Sequence, residues 1–232
     1  MTASTAENQR LGRRFDLVQD LHASTSRDYV ARVMQDDKAA CAEIASRYGE
    51  EYWDGERRFG YGGYRYDGRW RPLAERLAEI YALAPGDRVL DVGCGKGYLL
   101  YELAQVVPGL VVAGLDVSAY ALSHAKEEVR SSLVRGSAAA LPFAEGSFDL
   151  VVSLGTLHNL AARDLWAALG EIARVARDDR AYVMVESYRD EREKMNLLYW
   201  QLTCRSFYGV ADWEFVFRQT GYRGDYGFIF FT

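Results

Sequence analysis

The first residues that could do chemistry form a glycine-rich turn after an apolar run. Asp91-Val92 leads into Gly93-Cys94-Gly95-Lys96-Gly97, and a helical pattern begins at Tyr98. Gly93 and Gly95 allow a tight backbone turn that a ligand can approach closely, while Gly97 permits close packing at the helix start. Glycine also marks ordinary turns, so the triplet gains meaning only from its surroundings.

Acidic and small residues follow the next two apolar runs. Asp116 ends the second run about 20 residues past the glycines, where a carboxylate can accept both ribose hydroxyls of an adenosine. Its alternative role is an acid favoured by the dipole of the following helix. Gly136-Ser137-Ala138 follows the third run. Together with the glycine turn, these positions favour a nucleoside-binding site.

Two titratable residues follow the fourth and fifth apolar runs. His158 is one of three histidines, and imidazole can take a proton near neutral pH. Its alternative is a histidine that hydrogen-bonds a loop or caps a helix. Glu186 could act as a base or anchor a substrate amine or hydroxyl, and a surface salt bridge is its alternative. For Arg189, a salt bridge is favoured over binding a substrate anion.

The segment from Glu51 to Arg71 combines five glycines with seven aromatic residues. We interpret residues 59–70 as a lid that closes over the ligands, with Tyr64, Tyr66 or Trp70 lining the site. The alternative is a packed linker. Tyr199 and Trp200 could form another wall, although core packing is the favoured expectation for them.

The residues that follow the apolar runs can lie close together only if the runs form one sheet, with these residues at the same edge. Short apolar runs alternate with helical patterns, which predicts a doubly wound α/β fold with a mainly parallel sheet. The predicted strands are 88–92, 110–117, 133–134, 148–153, 181–186 and 226–231. The predicted helices are 26–48, one opened by Pro72, 98–107, 119–129, 165–176, 195–207 and 212–220, the last with Asp212 as its cap. We expect an N-terminal extension with the lid over 1–84 and the ligand-binding domain over 85–232.

Composition restricts the function classes. The chain has 232 residues, 49% of them hydrophobic, and a net charge of −5, which excludes a disordered chain and argues against non-specific nucleic-acid binding. Cys41, Cys94 and Cys204 form no metal-ligand motif. We expect metal-independent chemistry. Neither a secretory signal nor an apolar run of about 20 residues is visible, so we expect a cytoplasmic protein with no membrane partner.

In order and spacing, the motifs of Pro85 to Glu186 resemble the class I S-adenosylmethionine-dependent methyltransferases. The likeness is greatest to their small-molecule branch, which is similar to ubiquinone and menaquinone biosynthesis enzymes. It rests on Val89-Leu90-Asp91-Val92-Gly93-Cys94-Gly95-Lys96-Gly97, Gly114-Leu115-Asp116-Val117-Ser118, Gly136-Ser137-Ala138, Leu141-Pro142-Phe143 and Ser147-Phe148-Asp149-Leu150-Val151.

This resemblance implies a set of cofactor contacts. Asp91 and the turn Gly93, Cys94, Gly95 and Gly97 would hold the methionine part of S-adenosyl-L-methionine, and Asp116 its ribose. Val117, Ser137 and Ala138 would meet the adenine, Leu154 would contact the cofactor through its backbone, and Tyr64 would close over it. Serine stands at 137 where many relatives carry an acid, so a serine hydroxyl or the Ala138 N–H would substitute.

The implied activity is transfer of a methyl group to an oxygen or nitrogen of a small metabolite, such as a sugar or natural-product intermediate, with His158 and Glu186 as catalytic residues. Three alternatives stay open: a protein or peptide methyltransferase, a nicotinamide-dependent oxidoreductase and a non-catalytic cofactor-binding module. The oxidoreductase is disfavoured because its usual fingerprint spaces the third glycine one residue further on. The sequence also leaves open a homodimer through the N-terminal helix.

Overall fold

A computed structural model describes residues 10–23 and 27–232 of the chain. Its centre is a six-stranded sheet in which every strand pairs in parallel with its neighbours. The strands are β1 (Arg88–Val92), β2 (Val111–Asp116), β3 (Leu133–Arg135), β4 (Leu150–Leu154), β5 (Ala181–Ser187) and β6 (Asp225–Phe230). Their order across the sheet is β3-β2-β1-β4-β5-β6. The predicted doubly wound fold is confirmed.

Helices cover both faces of the sheet. In chain order they are α1 (Gln19–Ala23), α2 (Tyr29–Met34), α3 (Lys38–Ala45), α4 (Glu50–Trp53), α5 (Arg71–Ile80), α6 (Tyr98–Val106), α7 (Ala119–Ser123), α8 (Glu127–Arg130), α9 (Ala162–Val175), α10 (Glu191–Trp200) and α11 (Val210–Gln219). α5 and α6 bury Leu77 and Leu103 on one face, while α9 and α11 bury Leu169 and Trp213 on the other. Side chains alternate along each strand, so β1, β2, β4, β5 and β6 contribute to both cores.

The N-terminal segment is joined to the far edge of the sheet. Arg14 forms a parallel bridge with Tyr226, and the Phe15 N–H donates to the Tyr226 carbonyl at 2.8 Å. The Arg13 guanidinium lies 3.1 Å from the Asp225 carboxylate, which also accepts a hydrogen bond from the Tyr81 hydroxyl at 2.9 Å. Residues 13–15 thus pair with β6 at the edge of the sheet, and the division of the chain after residue 84 stays a prediction.

Two predicted helices are each divided into shorter ones, the first of them at a side-chain cap. Within the predicted helix 26–48, Asp37 accepts a hydrogen bond from the Ala40 N–H at 3.1 Å and starts α3 afresh after α2. The start of that prediction, Ser26, lies outside the described residues. The predicted helix 119–129 is divided into α7 and α8. Side-chain caps compete with helix continuation, and period counting does not detect this.

The C-terminal predictions need two further corrections. α10 begins at Glu191, where Asp190 caps it through the Glu193 N–H, and it ends at Trp200 rather than continuing to 207. α11 begins at Val210 after Gly209, so Asp212 lies in its first turn and is not its cap. The positive end of the helix dipole still favours an acidic side chain at this position.

Candidate active site

The glycine turn connects β1 to α6 in a conformation that only glycine adopts easily. Gly93, Gly95 and Gly97 have φ values of 87°, 53° and 71°, in the left-handed region. A Cβ on Gly93 would lie 2.0 Å from the Thr156 hydroxyl oxygen. The turn therefore requires these glycines for its backbone shape and for its close approach to the loop after β4.

Two buried acids flank this turn. Asp91 and Asp116 belong to the neighbouring strands β1 and β2, and each is less than a tenth exposed. The Asp116 carboxylate accepts the Gly95 and Ser118 N–H groups, both at 2.8 Å. Burial and the charge of Asp116 raise the pKa of Asp91 to about 8, and burial raises that of Asp116. A cationic ligand would stabilise the ionised forms of these two buried carboxyl groups.

The aromatic segment lies directly over the turn. The Trp53 indole contacts Gly95, where a Cβ would lie 2.7 Å from the ring, and its N–H donates to the Ser118 hydroxyl at 2.9 Å. Trp53 stacks on Tyr61 with ring centroids 5.3 Å apart, and Tyr64 stacks on Tyr98 at 5.1 Å. Aromatic packing thus holds the segment against the predicted cofactor site.

A buried ion pair fastens the same segment to the turn. Lys96, the residue between Gly95 and Gly97, donates to both Asp54 carboxylate oxygens at 2.7 Å and to the Tyr64 carbonyl at 2.8 Å. Only 5% of the Lys96 side chain is exposed. The Tyr120 hydroxyl donates to Asp54 as well, at 2.9 Å. The segment is therefore coupled to the turn by charge as well as by packing.

His158 and Glu186, separated by 28 positions in the chain, form a buried pair. The His158 Nδ1 accepts the Glu186 backbone N–H at 3.3 Å, which places the ring proton on Nε2. That atom lies 3.3 Å from the Glu186 Oε2, which is buried and has no hydrogen-bond partner within the described residues. The other carboxylate oxygen accepts a hydrogen bond from Gln201.

Burial shifts the two groups in opposite directions. It lowers the pKa of His158 to about 3, so the imidazole is neutral near pH 7. It raises the pKa of Glu186 to about 8, against the opposing effects of Arg27 and Gln201. A carboxyl that titrates near neutral pH is suited to accept a proton from a substrate. The geometry therefore favours Glu186 as the base and His158 as its positioning partner.

A cavity of about 420 Å³ connects this pair to the aromatic segment. Its wall includes His158, Glu186, Leu154 and Gly155 from the loops and strand ends, and Tyr64 and Trp70 from the segment. A cavity of this size suits a small-molecule ligand. It lies at the carboxyl ends of β4 and β5, where parallel α/β sheets bind their ligands.

The predicted site residues are arranged in two groups. Leu154, Tyr64, His158 and Glu186 line the cavity, whereas Asp91, the turn and Asp116 lie under the Trp53 cover. Val117 is 47% exposed and Ala138 is buried, while Ser137 is exposed and accepts the Ala139 N–H at 3.2 Å. The Cys94 side chain belongs to the hydrophobic core beneath the sheet. The cofactor role of each of these residues stays a prediction.

The expectations about neighbouring residues had different outcomes, since Tyr64 and Trp70 line the cavity as expected. Tyr66 does not line the cavity and donates instead to Glu102 at 2.6 Å. Trp200 lines the cavity rather than packing only in the core. Arg189 forms the favoured salt bridge, with Glu193 four residues later.

Sequence reasoning missed Trp53, Asp54 and Lys96 as one unit. Lys96 lies between two glycines of the motif and pairs with Asp54, which is 42 residues earlier in the chain. An acid directly after an aromatic pair and a lysine between glycines were the visible signals. It also missed the arginines of the cavity wall, which are scattered between residues 27 and 69.

The described residues contain neither a cluster of metal ligands nor a helix that could span a membrane. No three histidine, cysteine, aspartate or glutamate side chains in residues 10–23 and 27–232 come together as metal ligands. In the same ranges, no helix has the length and apolar character needed to cross a membrane.

The comparison with known proteins agrees with this geometry. Residues 89–179, which include the turn, both acids and His158, match the family described as a methyltransferase domain. Over these residues the chain is therefore similar to methyltransferases. It is 37% identical over 123 residues to an uncharacterised methyltransferase of Synechocystis sp., covering 53% of this chain and 55% of that one.

Two further proteins are similar over a longer part of the chain. Demethylmenaquinone methyltransferase of Symbiobacterium thermophilum is 29% identical over 63% of this chain and 60% of its own. The Haloferax volcanii protein solved in complex with the Trm112 methyltransferase activator superimposes with a TM-score of 0.51, 28% identity and coverage of 67% and 73%. The chain spans between half and two thirds of the length of these curated relatives. The part outside the methyltransferase domain includes the segment over the turn.

Proposed function

We propose that the protein transfers a methyl group from S-adenosyl-L-methionine to an oxygen or nitrogen of a small metabolite. The observation that carries this proposal is the buried Glu186 oxygen that has no hydrogen-bond partner among residues 10–23 and 27–232, in the wall of a cavity at the carboxyl edge of the sheet. An acceptor hydroxyl or amine is the donor that such an oxygen needs.

The residues at the turn fit the cofactor. Its ammonium and sulfonium groups are cations, and Asp91 with Asp116 supplies buried negative charge beside a turn without side chains at Gly93 and Gly95. Asp116 can accept hydroxyl hydrogen bonds in addition to its two backbone donors. Bound there, S-adenosyl-L-methionine supplies an activated methyl group and its own leaving group.

The chain contributes positioning and a proton acceptor. Glu186 would accept the proton that leaves the acceptor hydroxyl or amine, while Gln201 holds its other carboxylate oxygen and His158 accepts its backbone N–H. The aromatic cover would exclude water and orient the acceptor, and alignment of this kind accounts for about 7–11 kcal/mol in favourable intramolecular reactions. A cavity of about 420 Å³ beside Glu186 supports a small molecule as the acceptor.

Thermal unfolding tests the proposal. S-adenosylmethionine and S-adenosylhomocysteine should raise the unfolding midpoint by several degrees, because a ligand at 100 times its Kd adds about 2.7 kcal/mol. NAD and NADP serve as controls and should leave the midpoint unchanged. Methyl transfer from labelled cofactor to a panel of small hydroxylated and amino compounds then identifies the acceptor.

The outcomes separate the competing functions. A shift with the nicotinamide nucleotides alone would favour the oxidoreductase. Binding of the adenosyl compounds with transfer only to peptides would favour the protein methyltransferase. Cofactor binding with no transfer to any acceptor class would indicate a binding module.

A further inference from the structure

Three arginines meet at one indole in the wall of the cavity. The guanidinium carbons of Arg27, Arg32 and Arg57 lie 5.5, 5.6 and 5.2 Å from the ring centroid of Trp200. All four residues line the cavity. A Trp face attracts guanidinium groups, but three cations around one ring also repel each other.

Acidic side chains compensate the charges of Arg32 and Arg57 poorly. Arg32 is 3.9 Å from Asp36, and its side chain is only 11% exposed; its Nε is buried and has no hydrogen-bond partner among residues 10–23 and 27–232. In the same ranges Arg57 forms no ion pair and donates to the Gly60 carbonyl. Burial and the charges of Arg32 and Arg27 lower the pKa of Arg57. The cluster has an excess of positive charge that is partly withdrawn from water.

The charge is concentrated in the cavity and is not a property of the whole chain. The chain has a net charge of −5, yet Arg65 and Arg69 also line this cavity, and Glu186 is the acid among its lining residues. Of these two, Arg69 is bound to Asp67. An acidic protein that gathers arginines around a pocket creates a local attraction for anions.

The cluster and the proposed base are adjacent. Trp200, under the guanidinium groups, is followed directly by Gln201, which donates to Glu186. The arginines, Trp200, Gln201 and Glu186 all line the same cavity of about 420 Å³, so one small molecule bound there can contact both groups. Arg27 also acts electrostatically on Glu186.

We infer that Arg27, Arg32 and Arg57 with Trp200 form an anion-binding subsite for the methyl acceptor. The acceptor is then a small acid, with a carboxylate or phosphate at the arginines and its hydroxyl or amine at Glu186. This inference rests on the proposed function. Guanidinium groups suit it because they bind both kinds of anion through paired hydrogen bonds.

The test compares matched acids and neutral analogues on protein saturated with S-adenosylhomocysteine. The probes are glycolate against glycolamide, and glycerol 3-phosphate against glycerol, at concentrations up to tens of millimolar and at constant ionic strength. We expect the acid of at least one pair to raise the unfolding midpoint by about 3–6 °C, corresponding to roughly tenfold excess over Kd. The preferred pair identifies carboxylate or phosphate.

Variants show where the anion binds. The double variant Arg32→Gln/Arg57→Gln should lose the acid-dependent shift and keep the shift caused by S-adenosylhomocysteine, which also shows that it folds. Arg57→Gln alone, at an exposed position, should weaken acid binding severalfold if the double variant does not fold. Arg76→Gln, on the exposed face of α5, is the matched control and should behave as the unaltered protein.

Three results would overturn the inference. Equal shifts with acids and neutral analogues, or no shift with any probe, would show that the arginines do not select an anion. Weaker binding of S-adenosylhomocysteine in the arginine variants, with acid binding unchanged, would assign the cluster to the carboxylate of the cofactor. By contrast, no shift with S-adenosylhomocysteine in the unaltered protein would contradict the proposed function itself.

Discussion

At the scale of single residues, Glu186 is a carboxyl whose surroundings favour its neutral form. It is 6% exposed, its neighbour His158 is uncharged near pH 7, and one of its oxygens lacks a hydrogen-bond donor within the described residues. Proton acceptance needs the ionised form of Glu186. Burial disfavours this form, whereas the hydrogen bond from Gln201 favours it.

The pH dependence of methyl transfer should report this carboxyl. Because only ionised Glu186 can accept the proton, kcat/KM should rise with pH and level off above the pKa of about 8. Glu186→Gln should lower kcat by about 10²–10⁴-fold, the usual contribution of a general base, and should remove this rise. Glu191→Gln, at an exposed position of the same region, is the control. An unchanged pH profile in Glu186→Gln would show that another group accepts the proton.

Ionised Asp91 should lower the stability of the free protein and strengthen cofactor binding. Its pKa is raised to about 8 in the fold from about 3.9 in an unfolded chain, so the carboxyl destabilises the free protein increasingly as pH rises between these values. Asp91→Asn should therefore raise the unfolding midpoint of the free protein at pH 8.5 and reduce the shift caused by S-adenosylmethionine. The measurement is thermal unfolding at pH 5 and pH 8.5. A lower midpoint at pH 8.5 would mean that the ionised carboxyl stabilises the fold.

At the scale of elements, the segment 51–71 packs on the domain and also covers the glycine turn that a ligand would contact. Its rings stack on each other and on Tyr98, as a packed linker requires. It also covers the glycine turn through Trp53, so a ligand that contacts Gly95 must displace or reorient this ring. Movement of the segment as a lid stays a prediction, and the Asp54–Lys96 pair is the contact that would control it.

Asp54→Asn should release the segment. Lys96 would lose the ionic partner of a buried ammonium, at a cost of about 1–3 kcal/mol, and 1.4 kcal/mol corresponds to tenfold in an equilibrium. Limited trypsin digestion should therefore cut after Arg57 or Arg58 about tenfold faster. Asp67→Asn removes an exposed pair in the same segment and should leave the rate unchanged. Equal rates in both variants would show that aromatic packing alone holds the segment.

At the scale of the whole molecule, Asp225 joins three distant parts of the chain. It begins β6 and accepts the Arg13 backbone N–H at 2.6 Å, the Arg13 guanidinium at 3.1 Å and the Tyr81 hydroxyl at 2.9 Å. The residue is 8% exposed. The N-terminal segment, the end of α5 and the sheet edge therefore depend on one carboxylate.

Asp225→Ala should destabilise the whole fold. Leaving buried donors unsatisfied costs about 1–3 kcal/mol, and each kcal/mol lowers the midpoint by about 2–4 °C in a chain of this length. Thermal unfolding measures the loss, with Asp212→Ala on α11 as the control at an exposed position. A midpoint within 1 °C or so of the unaltered protein would show that the N-terminal segment adds little to the stability of the sheet.

The sheet, the turn and the paired candidates could be predicted because they depend on local signals. The run Arg88–Val92 and the spacing of Gly93, Gly95 and Gly97 dictate a strand followed by a turn, whatever packs on them later. In a parallel sheet, residues that follow neighbouring strands must share an edge. His158 and Glu186 were for this reason expected near each other before any distance was known.

Only the tertiary structure decided what surrounds these residues. Asp37 and Asp190 changed helix bounds because a side-chain cap competes locally with helical periodicity. The Asp54–Lys96 pair and the arginines around Trp200 join positions far apart in the chain. Burial, which raises the pKa of Glu186 and lowers that of His158, is likewise a property of packing. Sequence by itself determined the fold and the edge that carries the site, since both follow from short-range patterns; the charge and enclosure of the cavity required long-range contacts.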